Sequence, residues 1–555
     1  MVFCVCRRPL VERRDDRMVL IFSSFLADVA FVVTICFGLL YLYSAYAFAY
    51  WRKRGVYYLQ PSVFFGNMGL VALQVESAAE CFRKVYERGA NQSVVGIFAA
   101  FRPLLVARDL HLVRSVLVKD AHAFLDRSTS PPDGVDSLLS RSLFGLKGRK
   151  WRHFRTKLTP TFTSGKMRRM FHLLNECGSQ LVPCIDDEMA KGDTLPDTQS
   201  NSVLIKDAVA RYSTDVIASC AFGVNANALA DPTCEFRTIM RKVFEPAASQ
   251  KLATLLSIFL PWLRKILRLN TYDDSVPDFV RRTFWDVVEY RKRNNVTRHD
   301  FVDLLVQIQE TGEVRADDAQ DLEELKRDSE YMSDDNADKL DTRWDDDDIV
   351  AQAFIFIGAG FETSSSVVSF TLYELAMHLD IQDRLREKIR AVIDQHDSVI
   401  TYDAIAEMTY LDMVVSEAQR KYPIVPVLDR TCLSDYKIQG TDITIEKGIV
   451  VLISVLGIHY DPEIYPDPDK FDPERFSQEN KSKRSHFAYL PFGEGPRICI
   501  GMRFGLMQVK TALVHILTNF QVKPCMDTPK APLEMSKSTG ILVPKQDIVL
   551  SFIRL

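Results

Sequence analysis

Hydrophobic and polar positions along this chain sort into a few distinct stretches. Val29 to Tyr50 is a run of 22 residues without a charge. A helix of that length covers ~33 Å, enough to cross a bilayer with slight tilt. Trp51-Arg52-Lys53-Arg54 follows at once, an aromatic and basic stop suited to a membrane interface. Asp348 to Leu375 carries Ile349, Ala353, Phe356, Ile357 and Gly360 at helical spacing and predicts one long helix. Met502 to Phe520 shows the same periodicity. Lys251 to Leu269 is apolar with Lys and Arg tips around Pro261 and Trp262; it reads either as a membrane-dipping segment or as a plain core helix. Within 313–348 the apolar pattern disappears, and a solvated loop is expected there, through Asp345 to Asp348.

Composition adds little until it is divided. The 555 residues are 47% apolar and 26% charged, ordinary for a globular chain with a large core. No Pro/Gly/Ser-rich linker interrupts the body, so one large unit is expected. The net charge of −4 combines −11 in residues 313–348 with +7 elsewhere. The acidic stretch lacks the glycine-turned ligand spacing of a calcium loop. Eleven scattered cysteines do not form a disulfide framework, and no CxxC pair points to zinc.

The apolar run is too long for a cleaved signal peptide and has no clear small-residue cleavage pattern. Arg7, Arg8, Arg13, Arg14 and Arg17 precede it, and Arg52, Lys53 and Arg54 follow. Counted over the full chain, the positive-inside rule places the N-terminus in the cytosol; counted from Met18, it places the body there. The second count is preferred. The expected division is 1–28 an extension, 29–50 a transmembrane anchor, 51–65 a basic stop and hinge, and 66–555 the catalytic domain with its acidic loop at 313–348.

The candidate chemistry centres on Cys499, in Phe492-Gly493-Glu494-Gly495-Pro496-Arg497-Ile498-Cys499-Ile500-Gly501. Glycines let such a loop take unusual torsions. Backbone N–H groups after the cysteine, and the helix beginning near Met502, favour a thiolate. A lone cysteine is usually a buried hydrophobe or an idle thiol, but five specified positions, the cysteine among them, change that reading. This stretch resembles the haem-binding signature of cytochromes P450, F-x-x-G-x-R-x-C-x-G, with every specified position met.

Other motifs extend the resemblance from about Met18 to Leu555. Ala359-Gly360-Phe361-Glu362-Thr363 matches the family's A-G-x-[DE]-T segment, whose acid–alcohol pair relays protons during oxygen activation. Taken alone, Thr363 would read as bonding back to its own helix. Glu417-Ala418-Gln419-Arg420 resembles E-x-x-R, with Pro473-Glu474-Arg475-Phe476 downstream. The resemblance implies that Glu417, Arg420 and Arg475 form a buried ionic cluster that locks the cysteine loop. Trp151 and Arg155 match W-x-x-x-R; with Arg127, Arg430 and Arg497 they are the implied haem-propionate residues. Phe492 is expected beside the thiolate.

The resemblance implies a mainly helical P450 fold with a small β part near the start of the body, haem b as cofactor, and Cys499 as axial ligand. It also implies monooxygenation of lipophilic molecules, with catalytic roles for Thr363 and Glu362. Electrons would come from NADPH through NADPH-cytochrome P450 reductase, with cytochrome b5 a further partner. The location implied is the endoplasmic reticulum membrane, with a cytosolic body and no nucleic-acid partner. Leu158 to Met167 and Ala351 to Phe354 resemble insect families six and nine; Trp344 to Ile349 and Tyr410 to Glu417 favour nine. Xenobiotics are the implied substrates, endogenous lipids or hormones the alternative. A reductase-independent isomerase or dehydratase and a haem carrier are rivals that Glu362 and Thr363 disfavour. The implied pocket comprises Ser128 to Phe144, Phe354 to Ala359, Ile424 to Leu428 and Thr539 to Leu542, mostly apolar.

Overall fold

The long apolar pattern in the second half of the chain folds as the expected helix. In the computed structural model, which describes residues 25–131, 134–192, 201–245, 247–312, 314, 321, 344–537 and 540–555, it runs Asp346–Met377. The basic extension through residue 24, nearly all of the acidic stretch before Trp344, and Thr539 lie outside the described residues.

Charge sets where this central helix starts. Asp345 is its N-cap and accepts from the Asp348 N–H at 2.8 Å. Three more aspartates in the first turn meet the positive end of the helix dipole. Each of the four also finds a remote partner. Asp345 takes both terminal nitrogens of Arg141 at 2.5 and 2.9 Å. Asp346 takes Gln309 Nε2 at 2.9 Å, Asp347 takes Arg281 at 2.9 and 3.3 Å, and Asp348 takes Lys150 at 3.3 Å. Trp344 stacks on Phe154, ring centroids 4.1 Å apart. The expectation of a loop therefore fails for Asp345 to Asp348, which cap and open a helix, although Asp345 and Asp346 stay exposed to solvent. These aspartates are a clamp whose partners lie too far along the chain for a local charge count to reveal.

Ile205–Ile217 and Met502–Asn519 pack against the central helix, and Ser164–Gly192 packs on those two. The small residues of Gly358-Ala359-Gly360 divide between two duties. A Cβ at Gly360 would collide with the Ile217 side chain, so this glycine serves helix packing. A Cβ at Gly358 would meet nothing within 4 Å, and Ala359 is exposed in the middle of an otherwise buried helix. The central helix therefore borders an interior cavity at that point.

Nine strands occur among the described residues: β1 Val94–Ala99, β2 Arg102–Ala107, β3 Ser202–Leu204, β4 Val427–Thr431, β5 Tyr436–Lys437, β6 Thr444–Ile445, β7 Val450–Ser454, β8 Phe520–Pro524 and β9 Val549–Arg554. The main sheet runs β1-β2-β7-β4, with β2 and β7 parallel and the other pairs antiparallel. Its register sets Leu105 against Val451 and Arg430 against Val451. The β part is thus not confined to the start of the body; strands from distant segments complete it. Leu428 and Arg430 lie two residues apart on β4 and so share a face, and that face approaches Gly493 of the cysteine loop.

The N-terminal apolar run is the helix Phe25–Phe48, followed by a turn and Tyr50–Lys53; by length and composition it can span a membrane. The central helix passes the same test, but its 67% burial marks it as core. The expected stop and hinge is docked onto the body. Trp51 is 1% exposed and donates through Nε1 to the Ile97 carbonyl at 3.1 Å. A Cβ on Gly96 would lie 2.6 Å from the Trp51 ring, so only glycine leaves room for it. Glu446 accepts from Tyr50 Oη at 2.8 Å and from Arg54 at 2.9 and 2.6 Å.

Lys251 to Leu269 forms Ala248–Phe259 and Pro261–Leu267. Trp262 and Ile266 are 60% and 69% exposed, so the second helix is not a core helix. Ile258 and Phe259 pack on the sheet cluster that holds Met68 and Val71, beside exposed Leu70 and Leu73. Arg264 turns inward to a buried pair with Asp136.

The docked junction predicts that Trp51→Ala destabilises the body by ~3–5 kcal/mol, the cost of emptying an aromatic site. Denaturant unfolding of the purified protein measures it; a change below ~1 kcal/mol would mean the segment is a loose hinge after all.

Candidate active site

Cys499 sits two residues after a short turn, Gly495–Arg497, and three before the helix Met502–Asn519. Its N–H donates to the Phe492 carbonyl at 2.9 Å, closing the loop on itself. Gly495 has φ +74°, and any Cβ there would strike the Leu117 carbonyl. Glycine is required at that position for both reasons. Cys499 is exposed, yet burial from bulk water pushes its thiol up. The Gly501 N–H, Arg155 and Arg127 pull it back toward the thiolate. A side chain both accessible and desolvated faces an interior cavity. On the central helix, Ala359 is likewise exposed and Thr363 partly so.

Four guanidinium groups surround this loop, each from a different element. Arg127 follows Asp126, which bridges to Thr431 at the end of β4, and its guanidinium lies 4.4 Å from the Phe144 ring centroid. Arg155 donates to the Ile498 carbonyl at 3.0 Å. Arg430 is 3% exposed on β4. Arg497 is 4% exposed, lies 3.9 Å from the Trp151 ring centroid, and donates to the carbonyls of Leu125, Leu143 and Leu146 at 3.0, 3.4 and 2.8 Å. Trp151 is thus the platform beneath Arg497. The pKa of Arg497 is held well below the usual guanidinium range by burial first, then by Arg127 and Arg430. Burial and Arg127 do the same to Arg430.

Among the described residues, the carboxylates acting on Arg127, Arg430 and Arg497 are Asp126 and Asp429. Asp429 is already engaged by the Ser128 and Thr129 N–H groups. Arg127, Arg430 and Arg497 set three buried cations against these two carboxylates, an excess of positive charge in a medium where unpaired charge is costly. A planar group with two carboxylates, seated over a thiol, would supply the missing anions. The donor set fits haem.

On the central helix, Thr363 is partly exposed and its hydroxyl donates to the Ala359 carbonyl of its own helix. The local bond and the accessible face coexist. Glu362 is not a free acid. Lys206, at the start of Ile205–Ile217, donates to it at 2.8 Å and to Ser366 and Ser365 at 2.6 and 3.2 Å. Burial lowers the Lys206 pKa while Glu362 raises it, with a net lowering. Lys206 was not legible as a site residue, because nothing in its own neighbourhood marks it and its partner lies 156 positions away.

Residues 58–552 match the sequence profile of the family described as Cytochrome P450. The chain belongs to the cytochrome P450 family. It is 40% identical to cytochrome P450 6k1 of Blattella germanica, with 97% of this chain and 99% of that one covered. It is 42% identical to cytochrome P450 6j1 of the same organism, covering 91% and 94%. Cytochrome P450 9e2 of Blattella germanica is 37% identical, covering 92% and 94%. Both insect families expected from the motifs are therefore represented, and of these three relatives the two of family six are the more similar. As P450s, such chains are haem-iron monooxygenases, and the apolar N-terminal helix is consistent with a membrane anchor.

The scaffold behind the P450 loop is ionic and dry. Glu417 and Arg420 are both fully buried and share two hydrogen bonds at 2.8 and 2.9 Å. Arg475 approaches Glu417 at 3.5 Å, and the Asp472 N–H donates to it at 3.0 Å. Arg420 also donates to the carbonyls of His459 and Pro468 at 2.9 and 2.7 Å. The implied cluster of Glu417, Arg420 and Arg475 is present. Arg420→Leu should leave Glu417 unpaired in the interior and cost ~3–5 kcal/mol. Thermal unfolding with absorbance of bound haem measures it; wild-type stability and haem retention would refute a supporting role.

Proposed function

We propose that this P450 oxidises lipophilic small molecules, xenobiotics foremost, with Cys499 as the axial thiolate of haem b. The observation that carries the reading is the buried excess of guanidinium groups around one desolvated thiol. Arg127, Arg155, Arg430 and Arg497 would hold the two propionates, with Trp151 supporting Arg497 from below. Phe492 contributes the carbonyl that fixes the Cys499 backbone. Bound there, the haem would supply activation of dioxygen, one atom entering the substrate and the other leaving as water.

The chain's own groups divide the remaining work. The Gly501 N–H stabilises negative charge on sulfur and so tunes its donation. Thr363 holds a hydroxyl proton at the accessible face of the central helix, and Glu362 with Lys206 forms the neighbouring proton store. Apolar side chains around the cavity, among them Val425 and Phe144, exclude water and suit a lipophilic substrate.

Electron supply from NADPH through the reductase, with cytochrome b5 as a second donor, at the endoplasmic reticulum membrane, completes the proposal. The helix Gly148–Leu158 touches the cysteine loop through Arg155 and presents exposed Lys147 and Arg149 at its start. A basic face beside the thiolate suits an acidic redox partner. Lys150 belongs to the aspartate clamp instead, through Asp348.

Two experiments test this. Cys499→Ser should lose the long-wavelength carbon monoxide band that thiolate ligation produces, since a neutral hydroxyl cannot donate as much charge; retention of the band would sink the ligand assignment. Charge reversal at Lys147 and Arg149 should slow reductase-driven oxidation of a lipophilic substrate panel about tenfold at low salt. The difference should fade as ionic strength shortens screening to ~8 Å. Turnover driven by an organic peroxide should be spared; equal loss in both assays would place the donor elsewhere.

A further inference from the structure

The short helix Val455–His459 ends on a histidine that lies outside the cysteine loop and the other family motifs. His459 is fully buried. Its Nδ1 lies 3.1 Å from the Arg420 carbonyl, and its Nε2 lies 3.0 Å from the Leu490 backbone nitrogen. A carbonyl can only accept and a backbone N–H can only donate. The partners therefore assign one tautomer: Nδ1–H donates to Arg420, and the Nε2 lone pair accepts from Leu490. The Arg420 guanidinium returns a bond to the His459 carbonyl at 2.9 Å. Tyr489 stacks on the ring at 5.5 Å, and Tyr465 meets it edge-on at 6.4 Å.

Leu490 opens the segment that becomes the cysteine loop. Its carbonyl accepts from the Gly493 N–H at 3.1 Å, and the Phe492 carbonyl accepts from Cys499 at 2.9 Å. One imidazole thus joins the buried Glu417–Arg420 pair to the backbone that carries the thiol, by two bonds of opposite sense.

We propose that His459 is a positioning residue for Cys499, and that acid releases the cysteine loop by protonating its Nε2. An imidazolium has no lone pair for Leu490. Two donors would then face each other without water, and the strand leading to the loop would lose its tether. This rests on the haem-thiolate reading of the site.

The surroundings support a neutral ring. Burial, then the Arg420 charge, lower the His459 pKa from 6.5 to about 3. A base with a depressed folded pKa stabilises the fold fully above its unfolded pKa. That contribution is lost as pH falls from about 6.5 toward about 3. Other ionisable groups lie on the packed elements. Glu417 and Arg475 pair with or approach Arg420. Tyr465 and Tyr489 flank the ring, and Tyr86, Arg108 and Asp461 form a network at the end of its helix. Glu417 is raised by burial and titrates in acid as well. It is present in wild type and variant alike, so a difference between them isolates the imidazole.

The test compares wild type with His459→Gln and His459→Leu as haem-loaded proteins. Glutamine offers a neutral donor and acceptor that does not titrate. The readouts are the thiolate-type carbon monoxide band against pH and hydrogen exchange at the Leu490 amide. Wild type should lose both the band and Leu490 protection on acidification. His459→Gln should keep the band at neutral pH and lose it ~0.5–1 pH unit lower, with a shallower slope by up to about one proton. His459→Leu should expose the Leu490 amide and lose the band at neutral pH; if it fails to load haem, the glutamine profile decides. Superimposable acid profiles for wild type and His459→Gln would overturn the proposal, as would a glutamine variant without the band at neutral pH. Absence of the band in wild type at neutral pH would instead strike the haem-thiolate reading itself.

Discussion

Burial of charge is the constraint on which this structure depends. A thiol that is to work as a thiolate must sit away from water, and its loop must hold it without relaxing. The chain meets that need with fixed donors. The Gly501 N–H and two arginines act on the sulfur, and the Phe492 carbonyl holds the Cys499 backbone. Arg127, Arg430 and Arg497 repel one another, and among the described residues the carboxylates acting on these three are Asp126 and Asp429. Such an arrangement is stable only if anions complete it. The site is therefore built for a partner that carries negative charge, and the fold around it resists the repulsion meanwhile.

That resistance comes from two clamps. Behind the loop, the Glu417–Arg420 pair reaches the loop's approach segment through His459 and the Pro468 carbonyl. In front, four successive aspartates pin the start of the central helix to separate elements through Arg141, Gln309, Arg281 and Lys150. Breaking the Glu417–Arg420 pair would leave charge unpaired in the interior, which makes it costly to disturb, whereas the half-exposed aspartates act by holding several elements at once. The central helix can then border an open cavity at Gly358 and Ala359 without collapsing into it.

The junction with the N-terminal helix follows the same logic on apolar terms. Trp51 fills a site that only a glycine at position 96 leaves open, and Arg54 with Tyr50 closes on Glu446. The apolar helix therefore leads straight into the main sheet. The exposed Trp262 and Ile266 belong to a helix pair packed against that sheet's cluster through Ile258 and Phe259.

Much of this was legible in the sequence. Cys499 with its glycines, the long central helix, the apolar N-terminal run and the Glu417–Arg420 spacing are local patterns. Local patterns survive in one dimension because backbone torsion, helical periodicity and charge-free length are properties of neighbouring residues. Arg155 and Trp151 could be paired on one face of a helix for the same reason. Other features had no local signature. Lys206 is an ordinary surface-type lysine until folding sets it against Glu362. Asp345 to Asp348 look like solvated acid until four remote partners arrive. His459 acquires its tautomer and its task only from two backbone groups, at Arg420 and Leu490, brought together by packing. The sequence by itself thus determined which elements form and which side chain is the ligand candidate. The tertiary structure decided which charges are paired, because pairing depends on distance and desolvation, and neither exists before the chain is folded.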